Sequence, residues 1–151
     1  MKINHKIILY FVGFLLLFNG GFMFISSIVS YYYKDGITMD MIYSGIIVTL
    51  IGGLLLFLNR NHDKQLNKRE GYLVVVLGWL AMIFTGTLPY LLTGTIDGFS
   101  NIVFETTSGF TTTGATILND VEAMPEGILF WRSITHWLGG MGIIVFAIAI
   151  L

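Results

Sequence analysis

Residues 7–29, 41–58 and 71–92 carry no charged side chain, and a fourth apolar run, 127–151, carries only Arg132. Each run comes close to or exceeds the roughly 20 residues that an α-helix needs to cross a hydrocarbon layer about 30 Å thick. Backbone amides find no water in that layer, so a spanning chain must bond to itself, as a helix or a closed barrel. Continuous apolar runs of this length, without two-residue alternation, read as helices. The expected fold is therefore an all-α membrane protein with four transmembrane helices. Composition agrees: of 151 residues, 55% are hydrophobic and 11% charged, against about a quarter charged in soluble domains.

Lys2 and Lys6 precede the first run as they would in a signal peptide. The apolar stretch continues through FNGGFMFISSIV, past the length of a signal core, and no small-x-small cleavage site follows, so this helix is expected to stay as an anchor. There are no cysteines, which excludes disulfides and thiolate metal sites. A net charge of −1 gives no nucleic-acid footprint. His5, His62 and His136 lie on different segments without ligand spacing, so a metal centre is not expected.

Basic residues set the expected orientation. Lys2 and Lys6 stand before the first helix, and Arg60, Lys64, Lys68 and Arg69 crowd the loop NRNHDKQLNKRE; only Lys34 and Arg132 fall on the other side. Both basic groups belong in the cytoplasm, with the N-terminus inside. The loop YYYKDGITMD and residues 92–127 then face outward. Tyr31, Tyr32 and Tyr33 end the first helix like an interfacial aromatic belt. Pro89 predicts a kink or an end to regular hydrogen bonding late in the third helix.

The outward segment contains a short helical pattern. Phe99, Ile102, Val103 and Thr106 share one side, Asn101, Glu105 and Ser108 lie elsewhere, and Asp97 is placed to cap the N-terminus. From 98 to 109 this helix would be about 18 Å long, too short to cross, so the chain is expected to dip in and come back. Re-entrant backbone is tolerated only where protein covers it or a watery cavity receives it. The following GFTTTGAT suits such a place. Threonine hydroxyls replace hydration, and glycine reaches positive φ, which allows successive carbonyls to face one axis as oxygen ligands. The C-terminal end of the short helix adds partial negative charge, and oxygen ligands without carboxylates suit a monovalent cation.

The remaining polar positions have more than one reading. Glu105, an acid within a membrane segment, either accepts hydrogen bonds from filter amides or Thr and Ser hydroxyls, or sits at a wet rim. Arg132 either snorkels to the interface or pairs with Glu105. Gly139, Gly140 and Gly142 mark close backbone approach, as do Asn19, Gly20 and Gly21 in the first helix. Asp35, Asp40, Asp97, Asp120, Glu122 and Glu126 place six carboxylates outside, a solvated surface that modestly concentrates cations.

DGFSNIVFETTSGFTTTGAT followed by FWRSITHWLGGMGIIVFAIAIL resembles the first pore repeat of the Trk/Ktr superfamily of potassium uptake proteins, most closely its TrkH branch. The two helices before it match the extra pair that TrkH-like proteins carry. The resemblance implies a pseudo-fourfold pore of four helix–pore loop–helix repeats in one chain, and divides this sequence into a helix pair (1–60), a cytoplasmic basic loop (61–70) and a first repeat (71–151). The chain ends inside that repeat's second helix, so a fragment lacking the other three repeats is expected. The family's filter positions fall on Thr111, Thr112, Thr113 and Gly114, whose carbonyls would ligate K+, chiefly at Thr112 and Thr113, with Glu105 and Arg132 as support. The implied protein is no enzyme and needs no cofactor beyond the transported K+. Its implied partners are the lipid bilayer, a second copy in a homodimer and a cytoplasmic nucleotide-binding ring like TrkA or KtrA, in the inner (plasma) membrane. The competing expectation is a non-transporting membrane assembly or anchor protein, in which the threonine run is an ordered loop.

Overall fold

A computed structural model describes residues 4–61 and 67–150, so Lys2, His62, Lys64 and Leu151 lie outside the described residues. Among the described residues six helices follow in order: α1 (His5–Tyr33), α2 (Thr38–Leu58), α3 (Lys68–Gly86), α4 (Leu88–Thr93), α5 (Phe99–Phe110) and α6 (Glu126–Ile150). Among the described residues there is no strand, and three stretches are long and apolar enough to cross a membrane: His5–Tyr33, Thr38–Leu58 and Lys68–Thr93. The fourth expected run forms α6, whose 25 residues make a rod about 37 Å long.

Small residues set how the long helices pack. Without a hydrophobic drive between helices in lipid, close approach of backbones supplies the contact energy. A Cβ on Gly13 would stand 2.9 Å from the Gly52 carbonyl, and one on Gly20 would stand 2.4 Å from the Thr49 hydroxyl. About three turns beyond Gly20, Ser30 meets Thr38, hydroxyl to hydroxyl at 2.9 Å. These pairs run in opposite order along the two helices, so α1 and α2 are antiparallel. Gly21 departs from the expected packing role, since a Cβ there would meet nothing. Asn19, by contrast, is fully buried. Its amide donates to the Thr85 hydroxyl at 3.0 Å, and a Cβ on Gly78 would reach Leu15, so α3 runs parallel to α1. At the shared start of those helices Glu70 accepts from the backbone amides of Asn4 and Asn67.

The break expected at Pro89 falls two residues earlier. α3 ends at Gly86, Thr87 links it to α4, and Pro89 sits in the first turn of α4. That position suits proline, which has no N–H to lose there. The interruption frees carbonyls in an apolar setting, and side chains take them up. Trp131 Nε1 donates to the Gly86 carbonyl at 3.2 Å, and the Thr87 hydroxyl donates to Phe84 at 2.6 Å. Trp131 is fully buried, so α6 is stitched to the break in the third span.

Candidate functional site: the re-entrant helix and its return loop

The short helix enters the bundle and stops. α5 has 12 residues, about 18 Å, and its end packs deep against α6. A Cβ on Gly139 would lie 2.0 Å from the Phe110 carbonyl, and one on Gly109 would lie 2.3 Å from the Thr135 hydroxyl. Gly139 is 13 residues beyond the start of α6, about 20 Å down its axis. The loop then climbs back: Thr116 and Ile117 reach Glu105, which is joined to Arg132, seven residues nearer the start of α6. Gly140 and Gly142 contribute less, the first meeting only Thr112 Cγ2 at 3.9 Å and the second the Trp79 ring at 3.1 Å.

Two expectations about α5 need correction. Asp97 does not cap it. The N-cap is Gly98 at φ 84° with no side-chain bond, and Asn101 Nδ2 instead donates to the Asp97 carbonyl at 2.8 Å. Nor do Phe99, Ile102, Val103 and Thr106 form one inward face. Phe99 is 60% exposed, whereas Glu105 and Ser108 are buried beside Ile102, Thr106, Gly109 and Phe110. Polar groups turn inward here because the returning loop supplies their partners.

Glu105 holds most of those partners. It is 2% exposed, which excludes the rim reading. The Thr116 hydroxyl donates to both carboxylate oxygens at 3.0 Å, the Ile117 amide to Oε2 at 3.1 Å, and Arg132 Nε to Oε1 at 2.6 Å. Of the two readings of Arg132, pairing is the one found. Its side chain keeps 19% of its surface exposed, so the ion pair forms at the edge of the buried shell. A buried carboxylate is tolerated when its lone pairs are all engaged, and here amide, hydroxyl and guanidinium do so together.

The loop between these anchors has unusual backbone. Thr112 stands at φ 57° and Gly114 at φ 75°, both in the left-handed region, where a β-branched residue is rare. The turn is held by Thr112 N–H donating to Gly109 at 2.9 Å and Thr113 N–H to Ser108 at 3.0 Å. The Ser108 hydroxyl donates to the Ala115 carbonyl at 2.5 Å, and the Thr111 and Thr113 hydroxyls meet at 2.8 Å. Residues 111–116 are exposed. Among the described residues, no hydrogen bond is accepted by the carbonyls of Thr111, Thr112, Thr113 or Gly114. The α5 C-terminus, the negative end of its dipole, opens onto that row.

The sequence reading missed Ser108 as a fastener on both sides of Gly114. Its place in the last turn before a chain reversal was the available signal, because serine there can bond to backbone that folds back. Trp131 was missed as well, since a buried indole needs an acceptor and the break at Thr87 provides one.

Among the described residues, fold and site together describe a helical protein of the membrane class, with a short helix and return loop set between two long helices. Residues 37–151 match the TrkH family, described as cation transport protein, and the chain belongs to that family. It is 39% identical over 141 residues to the Trk system potassium uptake protein TrkH of Escherichia coli K12, covering 93% of this chain and 29% of that protein. The TrkH of Halomonas elongata is 37% identical over 147 residues, covering 97% of this chain and 30% of that one. The crystal structure of the potassium transporter TrkH from Vibrio parahaemolyticus superposes with a TM-score of 0.91 at 36% identity, covering all of this chain and 32% of that one. The chain thus spans between 29% and 32% of these relatives.

Proposed function

We propose that this chain supplies one quarter of a potassium-selective pathway in a Trk-type uptake protein, with the carbonyls of Thr111, Thr112, Thr113 and Gly114 as its ion ligands and K+ held chiefly at Thr112 and Thr113. The observation that carries the reading is a run of four successive exposed residues, 111–114, whose carbonyls accept no hydrogen bond among the described residues, fastened from behind by Ser108, Glu105 and Arg132. Free carbonyls at the end of a short buried helix have a use when they replace a cation's hydration shell. Residues 1–60 serve as a preceding helix pair, 61–70 as a cytoplasmic basic loop and 71–151 as the first pore repeat; three further repeats close the ring. The basic residues at 2, 6, 60, 64, 68 and 69 favour a cytoplasmic N-terminus in the inner membrane. A homodimer and a cytoplasmic nucleotide-binding ring belong to the same proposal. Transport here is movement of an ion rather than catalysis, and it calls for no cofactor.

The test is Gly114→Ser in the full-length protein, read as Rb+ uptake with competing Na+ per transporter in the membrane. Among the described residues, no atom outside Gly114 and its two chain neighbours lies within 4 Å of the added Cβ, so the effect expected here is conformational, about 1–2 kcal/mol for a side chain at positive φ. K+ preference over Na+ should fall while membrane content holds. Unchanged discrimination would return the loop to the anchor-protein reading.

A further inference from the structure

The return loop is braced by Arg132, and Arg132 is only as well placed as the first turn of α6. That turn is fastened to the opposite part of the chain. Asp35, in the loop between α1 and α2, accepts the Gly127 amide on Oδ2 at 2.9 Å across 92 residues of sequence. Its other oxygen takes the Ser30 hydroxyl and the Ile37 amide, the latter at 3.3 Å, and Ser30 in turn meets Thr38. The carboxylate is thereby fixed by α1 and α2 while it satisfies a free amide at the positive end of α6. A separate feature points to the same contact. At Gly127 a Cβ would stand 2.7 Å from Ser30 Cβ, 3.3 Å from Ser30 Cα and 3.2 Å from Asp35 Oδ2, so only glycine lets the helices meet there.

We infer that Asp35 is a positioning residue for the ion pathway: through Gly127 it sets the height of α6, and through Arg132 and Glu105 the placement of residues 116 and 117 behind the filter loop. Arg132 follows Gly127 by five residues on one continuous helix. Ile128 and Trp131, on the intervening turn, are fully buried. A rigid, packed element transmits a shift at its end rather than absorbing it. The helix pair before the repeat thus acquires a role in selectivity, besides that of an anchor.

The inference rests on the filter reading, and the experiment separates the two. In the full-length protein, Asp35→Ala removes both acceptors, whereas Asp35→Asn keeps one oxygen for the Gly127 amide. Gly127→Ala pushes the helices apart from the other side. The readout is the K+ to Na+ uptake ratio per transporter molecule, which a loss of stability alone would not move. Asp35→Ala and Gly127→Ala should each lower the ratio about three- to tenfold, the scale of a lost helix cap. Asp35→Asn should restore most of it. The double variant should be no worse than either single one, because both break one contact. Additive effects, or an unchanged ratio in Gly127→Ala alone, overturn the inference, and that second criterion holds even where Asp35→Ala does not accumulate. If Gly114→Ser also leaves the ratio unchanged, the filter reading has failed. If Gly114→Ser lowers it and the Asp35 and Gly127 variants do not, only the positioning role has failed.

Discussion

Replacing Glu105 by glutamine is the most informative single change behind the loop. The carboxylate accepts from three groups at once, the Thr116 hydroxyl, the Ile117 amide and Arg132 Nε. A glutamine keeps one acceptor oxygen and presents an NH2 where the other stood. If that NH2 faces Ile117 or Arg132, donor meets donor; in either orientation the ion pair is gone. Removing one partner of a buried, hydrogen-bonded pair costs about 3–5 kcal/mol, and a charge-assisted hydrogen bond alone about 1.5–3. Arg132 retains 19% exposure and can rehydrate, so the lower part of that scale applies, about 2–3 kcal/mol. At tenfold for each 1.4 kcal/mol, displaced arrangements of the return loop become about 30- to 150-fold more populated. The assay is Rb+ uptake with competing Na+ in cells that depend on the full-length transporter, normalised to protein in the membrane. Discrimination should fall with little change in abundance, and Arg132→Gln added to Glu105→Gln should do little further harm. Wild-type discrimination in Glu105→Gln, or full additivity with Arg132→Gln, would refute the brace.

Two further pairs of substitutions test neighbouring contacts. Gly139→Ala places a methyl 2.0 Å from the Phe110 carbonyl, a backbone atom that cannot swing aside, whereas Gly140→Ala meets only Thr112 Cγ2 at 3.9 Å; the first should lose about 1–3 kcal/mol or more in thermal unfolding of the solubilised full-length protein and the second almost nothing. If the loop is the proposed ion site, Ser108→Ala should free the Ala115 carbonyl and lower K+ over Na+ uptake, and Ser108→Thr, which keeps the hydroxyl, should restore it; equal ratios in both variants would remove Ser108 from the support of that loop.

The long elements were legible because their signal is summed over some twenty positions. The runs 7–29 and 41–58 became α1 and α2 with ends extended by a few residues, since uncharged polar residues such as Ser30 and Thr38 can continue a helix that hydropathy alone cuts short. Pro89 announced an interruption but not its place: proline has no amide to bond the carbonyl four residues back and its ring crowds that carbonyl, and the helix breaks between them at Thr87, where Trp131 takes the freed Gly86 carbonyl. The inward face of α5 was misread for a related reason. Periodicity sorts apolar from polar side chains, yet Glu105 and Ser108 turn inward to meet residues 115–117, a partner that appears only when the chain reverses. Asp35 was hidden among six outer carboxylates. What distinguishes it is a bond to an amide 92 residues away, which no local pattern encodes.

Thr112 shows why this support is needed. A β-branched residue at φ 57° sits about 1–2 kcal/mol above its ordinary conformations and persists only where surroundings over-determine it. Two amides in the turn, those of Thr112 and Thr113, are bonded to Gly109 and Ser108, and Gly109 and Gly139 let the helix end seat against α6. Beyond the turn, Ala115, Thr116 and Ile117 are each held by Ser108 or Glu105. The strained residue is thus fixed from both sides while its own carbonyl stays free. A loop that relaxed would let these carbonyls find whatever donor lay nearest, and they would no longer be free. Rigidity behind the loop and freedom in front of it are therefore one requirement, and removing any fastener should weaken ion discrimination before it weakens the fold.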